Sequence, residues 1–367
     1  FIKWITKMTG IGLYDPRHPS LGPNLFFFKN TLVWIVGPSS VNRIIHIMLN
    51  YFARIYLGSM VVNIIVKFDF ALFINFIKFS AFPLAVLKHV TYNRWRARWG
   101  QVVETVAHIE MLTNDMGEDQ PILKRYQRYS HIISYVYWVI GVSVTSFFLV
   151  VFFYHNRNVS IDGDYKDVFY VLLPFGNSTR LGRFIIIFLQ LWWSAIMAAY
   201  NLGWDSLVVA TMVFIAGQLK ALRVRCAHAL DSDDEDICLK RIYKCHYIYV
   251  TILQCQREVN SLIFLVFFVH LLSASVNYGL CIVNIVLVRN YNCLICFFTS
   301  EPTSYGVFES NWVERGPKVR RATLLLGVGM QQRVAFSAGP FHDMSLATFV
   351  MILKASYSFY TLITRGS

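Results

Sequence analysis

Three stretches of this chain run without a single Asp, Glu, Lys or Arg: Ile132–Phe153, Phe184–Trp204 and Val259–Val288, the last broken only by His270. A helix needs about 20 mostly apolar residues to cross the hydrocarbon core of a bilayer, and each stretch meets that length. Composition closes the other routes. Of 367 residues, 56% are hydrophobic and 15% charged, with 30 Phe, 20 Tyr and 9 Trp, whereas a soluble domain carries about 25% charge. That is too much apolar surface for aqueous cores, and it excludes a disordered chain, a collagen-like fibre and a small disulfide scaffold. Seven Cys is an odd number, and Cys281, Cys293 and Cys296 sit in apolar runs, so no disulfide framework is expected. The chain reads as an all-α polytopic membrane protein.

Weaker spans carry isolated charges: Ile44–Val66 with Arg54, Phe68–Val90 with Asp69, Lys78 and Lys88, and Phe341–Thr364 with Asp343 and Lys354. Charges inside a span face a bundle interior or snorkel to the interface. The long run after Val259 contains Asn277-Tyr278-Gly279, a turn signal, which divides it into two spans. The sequence therefore predicts seven transmembrane helices, at about 44–66, 68–90, 132–153, 184–205, 255–276, 279–298 and 344–364. Asn24–Val36 is apolar but short, and reads as an interfacial or pre-membrane helix.

The net charge of +13 would suggest nucleic acid in a soluble protein; here it marks the cytoplasmic side. Residues 91–131, 217–245 and 299–335 are rich in Lys and Arg, and so is the N-terminal segment. The positive-inside rule then puts the N-terminus in the cytoplasm and, with seven spans, the C-terminus outside. Two glycosylation sequons, at Asn158 and Asn177, both fall in the 154–183 loop that this rule places outside. Striped helices are expected beyond the membrane: Trp99, Val102, Val103, Val106 and Ile109 recur at helical spacing, Leu207–Cys226 continues the fourth span, Ile242–Ile252 leads into the fifth, and Ala322–Gln332 is too short to span. Together they suggest a cytoplasmic helical anchor.

No enzyme, cofactor or metal motif survives inspection. Gly327-Val-Gly329 lacks the rest of a phosphate loop, Cys293-Leu-Ile-Cys296 has no second pair, and Asp231–Asp236 lacks the glycine and distal Glu of a calcium loop. Asp205, where the fourth span meets the cytoplasm, reads as an interfacial carboxylate paired with Lys or Arg. Phe73, Phe147, Trp193 and His270 each lie a turn or two inside the outer edge of a different span; they are the candidate lining of an apolar pocket for a small molecule. In the last span Ser345, Thr348, Ser356, Ser358 and Thr361 alternate with bulky residues, a pattern able to line a water-filled path that large aliphatics close by dewetting.

The C-terminal residues carry a resemblance. Ala338-Gly339-Pro340-Phe341, Ser345-Leu346-x-Thr348-Phe349 and Ile352-Leu353-Lys354-x-Ser356-Tyr357-Ser358-Phe359 resemble the signature end of insect odorant receptors. Gly12-Leu13-Tyr14-x-Pro16, the stretch from Asp205 to Leu222 and His246–Cys281 are similar to that family's N-terminal motif, fourth helix and fifth helix. The ending differs from that of the related gustatory receptors and from that of the odorant coreceptor. The sixth-helix end departs from the family pattern, since Cys296-Phe-Phe-Thr-Ser-Glu-Pro is followed at once by Ser304-Tyr305-Gly306.

The resemblance implies an odorant-gated, non-selective cation channel in the plasma membrane of sensory neurons. Four subunits would surround one pore, this chain joining the shared coreceptor in a heterotetramer. A volatile small molecule would sit in the outer half of the bundle, and the last helix would line the pore, with Leu362 at the apolar constriction and Thr361 and Ser358 within a turn of it. Residues 1–43 would form the cytoplasmic N-terminal segment, 44–298 helices one to six, 299–343 a cytoplasmic segment with a short helix, and 344–367 the pore helix. A seven-helix receptor coupled to a G protein and a small-molecule transporter are the rivals. Orientation disfavours the first, and the lack of internal repeats disfavours the second.

Overall fold

The computed structural model describes residues 18–30, 48, 51, 55, 58, 62, 81–114, 119–156, 180–287, 304–331, 334–337, 343, 348, 350–351, 354–355, 358 and 361. The described elements are helices, in the order α1 (Gly22–Asn30), α2 (Ala81–Arg94), α3 (Arg96–Asn114), α4 (Gln120–Asn156), α5 (Arg180–Ala227), α6 (Glu235–Leu287), α7 (Ser304–Phe308), a 3-10 turn (Trp312–Glu314) and α8 (Pro317–Gly329). Among the described residues there is no β-strand, and a bridge between Ser337 and Asp343 stands alone. Three of the helices contain segments long and apolar enough to cross a membrane: Gln120–Phe147, Ala195–Ala227 and Glu235–Ser273. They correspond to the third, fourth and fifth spans read from the sequence.

Each of these helices outruns its bilayer segment. α5 continues without interruption from the apolar run through Leu207, Val208, Ile215 and Leu222, all buried. Of the three apolar segments the one on α5 is the most buried, and α5 packs against α2, α4, α6 and α7. The expected stripe on α3 is real: Trp99, Val102, Val103, Val106 and Ile109 are buried, and α3 packs on α6. α8 covers most of the short helix expected at Ala322–Gln332 and also leans on α6.

Two differences from the sequence reading stand out. The turn expected at Asn277-Tyr278-Gly279 is not taken up, because α6 passes through it to Leu287. An isolated Gly costs a helix about 1 kcal/mol relative to Ala, too little to break a helix with no proline nearby. The segment read as an interfacial or pre-membrane helix packs against the bundle over its described part, with Leu25 and Phe28 buried beside α4 and α5. Its polar residue is satisfied there, as Asn24 Nδ2 donates to Ser134 Oγ at 2.8 Å and Ser206 Oγ donates to Asn24 Oδ1.

α4 and α5 approach closely enough to need glycine. A Cβ on Gly217 would lie 2.6 Å from the Cβ of Tyr126, and one on Gly141 would overlap the Leu202 side chain. At the far end of α5, Arg225 forms a buried ion pair with Asp119 at the head of α4 and donates to Thr113 O at the end of α3 at 3.3 Å. Three helix ends are thereby held at one point.

Candidate functional site

The inner part of the bundle holds a charged centre. α2 carries Lys88, which is 1% exposed, opposite Asn201 and Asp205, one turn apart on α5. Lys88 Nζ donates to Asn201 Oδ1 at 2.5 Å and to Asp205 Oδ1 at 2.7 Å, and lies 5.2 Å from the centre of the Trp204 ring. All the contacts of this ammonium are therefore acceptors or a π-face, the arrangement a cation needs once it has left water. Asp205 is 21% exposed, so the pair sits at the edge of the dry interior. An aromatic shell surrounds it: Trp204 meets Trp99 and Phe267 edge-on or tilted, and His89 meets Tyr200 edge-on at 4.3 Å. The pairing expected of Asp205 is thus present, with Lys88 as its partner.

A second contact joins α6 to the segment that precedes the last helix. Ser337 N donates to Asn260 Oδ1 at 2.8 Å, and Asn260 Nδ2 donates to Ser337 Oγ at 2.9 Å. A backbone N–H can only donate, so it fixes which way the Asn260 amide points. One turn away, Gln256 Nε2 donates to Ala335 O at 2.5 Å, and Phe336 is buried between these two anchors. Sequence reasoning passed over Gln256 and Asn260. The available signal was polar amides one turn apart on an otherwise apolar helix face, leading to a segment that could not itself be called helix or strand.

The profile of the 7tm Odorant receptor family matches residues 71–300 and 296–357. The chain belongs to this family. A Drosophila melanogaster protein, Odorant receptor 2a, is 30% identical to it over 79 residues, which is 20% of each chain; the match thus spans about a fifth of that relative's length. The insect olfactory receptor OR5 from Machilis hrabei has a similar structure, with a TM-score of 0.75 at 11% identity over 90% of this chain and 91% of that one. The same receptor in complex with eugenol aligns with a TM-score of 0.71 at 10% identity, over 94% of this chain and 98% of that one. At these identities the likeness is one of fold. That fold fits the helices of the described residues, and the odorant receptor family to which the chain belongs is not one of enzymes.

Three of the four candidate odorant-binding residues of this odorant receptor, Phe147, Trp193 and His270, fall on separate helices. Phe147 is on the α4 surface and 61% exposed in the single chain. Trp193 is on α5, its side chain outside the described residues, and Phe73 is outside them altogether. His270 is on α6, half-buried, one turn beyond the Phe267 that packs on Trp204, and its Nδ1 has no hydrogen-bond partner. That places an open polar atom beside the aromatic shell of the Lys88 centre. Of the pore candidates, Ser358 is exposed and Thr361 half-buried, with Thr361 Oγ1 donating to Ser358 O at 2.8 Å. Leu362 lies outside the described residues, as do Asn158 and Asn177.

Proposed function

We propose that this receptor is the odorant-binding subunit of a heteromeric, odorant-gated, non-selective cation channel in the plasma membrane of olfactory neurons, assembled with the odorant coreceptor. It would cross the membrane seven times with its N-terminus in the cytoplasm. A volatile small molecule would bind among Phe73, Phe147, Trp193 and His270, and the last helix would line the pore through Ser358, Thr361 and Leu362.

The observation that carries this reading is the Asn260–Ser337 contact. Binding opens a channel only if the ligand favours one of two states that differ elsewhere in the molecule. α6 contains both His270, facing the aromatic shell, and Asn260, tied to the segment that enters the last helix. The same helix thus links the proposed binding level to the proposed pore. The eugenol complex of a receptor with the same fold supports a small organic ligand. Ser358, exposed in the single chain, supports a last helix that turns hydroxyls toward a shared axis.

The test is expression with and without the coreceptor, followed by an odorant panel read as membrane current. Odorant-evoked current that needs both chains is the expected result, with Phe147→Ala or Trp193→Ala shifting odorant potency at unchanged surface level. Unchanged dose–response curves for alanine at all four pocket positions would remove the pocket assignment.

A further inference from the structure

Beyond the charged centre, α3, α4 and α5 line a half-open cavity of about 340 Å³, with Pro19 and Ser20 along one side. Its α5 wall is Phe214, Gly217 and Gln218, and Gln218 lies about 20 Å along the helix from Asp205. The cavity therefore belongs to the part of the bundle away from the proposed odorant pocket.

Its hydrogen-bond inventory is lopsided. Four donors around it are spent on the protein: Ser20 N on Glu110 Oε1 at 2.8 Å, Gln127 Nε2 on Pro19 O at 2.9 Å, Ser130 Oγ on Ser20 O at 2.9 Å and Gln120 Nε2 on Thr113 O at 3.3 Å. Two acceptors are not spent. Glu110 Oε2 and Gln218 Oε1 are both buried without a partner, and Gln218 as a whole is only 4% exposed. A buried acceptor left unmade costs about 1–3 kcal/mol, more when charged. Among the described residues no cation is paired with Glu110, and Lys124, also on the lining, is exposed. Tyr126 and Phe214 supply aromatic surface to the same space.

We propose that this cavity is a second ligand site, separate from the odorant pocket, which takes a small organic ammonium ion whose N–H groups meet Glu110 Oε2 and Gln218 Oε1 and whose apolar body lies against Tyr126 and Phe214. Each element matches the unspent chemistry: a carboxylate calls for a cation, two open acceptors call for N–H donors, and aromatic rings accept a cation or its hydrocarbon. Burial pushes the Glu110 carboxyl above the usual carboxylate range in spite of its bonds from Ser20, as expected of an acid that has lost water without gaining a cation.

The test is isothermal titration of 2-phenylethylamine, and of its neutral counterpart 2-phenylethanol, into the full-length receptor in lipid nanodiscs at pH 7. A charge-assisted bond to a buried group predicts that the amine binds about ten-fold tighter than the alcohol. Glu110→Gln keeps an acceptor for Ser20 N and removes the charge, so this preference should disappear. Ala107→Leu puts bulk into the lining and should abolish amine binding while thermal unfolding stays cooperative, and Trp193→Ala should leave amine binding intact. Binding of neither compound would mean a cavity that holds water alone, equal affinity for amine and alcohol would mean that Glu110 does not read the charge, and an amine preference that survives Glu110→Gln would put the amine elsewhere; each of these results overturns the proposal.

Discussion

Asn260 and Ser337 hold each other through complementary bonds, a backbone N–H to a side-chain carbonyl at 2.8 Å and a side-chain N–H to a hydroxyl at 2.9 Å. The two residues are far apart in sequence, and between them lie the second half of α6, α7 and α8. A contact of this kind transmits displacement in both directions, because neither bond survives a shift of about 1 Å. Asn260→Leu keeps the branched shape of the side chain, with somewhat more bulk, and deletes both bonds. It is expected to shift odorant potency by about five- to ten-fold, the effect of about 1–1.4 kcal/mol, at unchanged surface level. The check is a dose–response series paired with surface labelling. Unaltered potency would remove Asn260 from the coupling route.

Lys88 and Asp205 should behave as a unit. Removing one partner of a buried pair leaves an uncompensated charge, at a cost of about 3–5 kcal/mol, whereas replacing both with apolar groups is often neutral. Lys88→Met should therefore lower the melting temperature of the purified receptor far more than Lys88→Met combined with Asp205→Leu. The 21% exposure of Asp205 lets water soften the Lys88→Met penalty, which places it toward the lower end of the range. A double variant as unstable as the sum of the two single variants would argue against coupling.

Much of this architecture is legible in the sequence, and the reasons are local. Ile132–Phe153 and Phe184–Trp204 have no charge to place in water, so their membrane character needed no tertiary information. Trp99, Val102, Val103, Val106 and Ile109 announced a buried face by their spacing, and the face is buried. Asp205 announced a cationic partner by lying at the end of an apolar run. Which Lys or Arg would answer could not be read, since Lys88 reaches Asp205 through the packing of α2 on α5. The Glu110–Gln218 cavity was hidden for the same reason: its walls come from three helices and the segment before α1. Asn277-Tyr278-Gly279 does not end the helix, because one Gly costs a helix only about 1 kcal/mol relative to Ala and α6 runs on to Leu287.

Topology is tested at the sequons. The proposed cytoplasmic N-terminus would put Asn158 and Asn177 on the outer side. A receptor expressed in cells should then show a mobility shift on glycosidase treatment that is lost in the Asn158→Gln, Asn177→Gln double variant. A cysteine introduced into the same loop that reacts with membrane-impermeant reagent only after permeabilisation would reverse the orientation.

The pore assignment is tested at Leu362. A ring of aliphatic side chains narrow enough to dewet blocks ions without any charge, and a hydroxyl in that ring admits water. Leu362→Ser should raise current in the absence of odorant while surface level holds. Lost expression without basal current would mark Leu362 as a packing residue instead. A normal surface level with normal leak would remove it from the gate.

The central claim is that odorant opens a conducting pore built in part from this chain, with no soluble messenger between them. It is tested most directly by recording from excised membrane patches that contain the receptor and the coreceptor, bathed in solution free of nucleotides. The account predicts that odorant-evoked cation current persists in the excised patch and that Asn260→Leu weakens its odorant sensitivity there as it does in the intact cell. Current that is present in the whole cell, vanishes on excision and returns when GTP is supplied would contradict it.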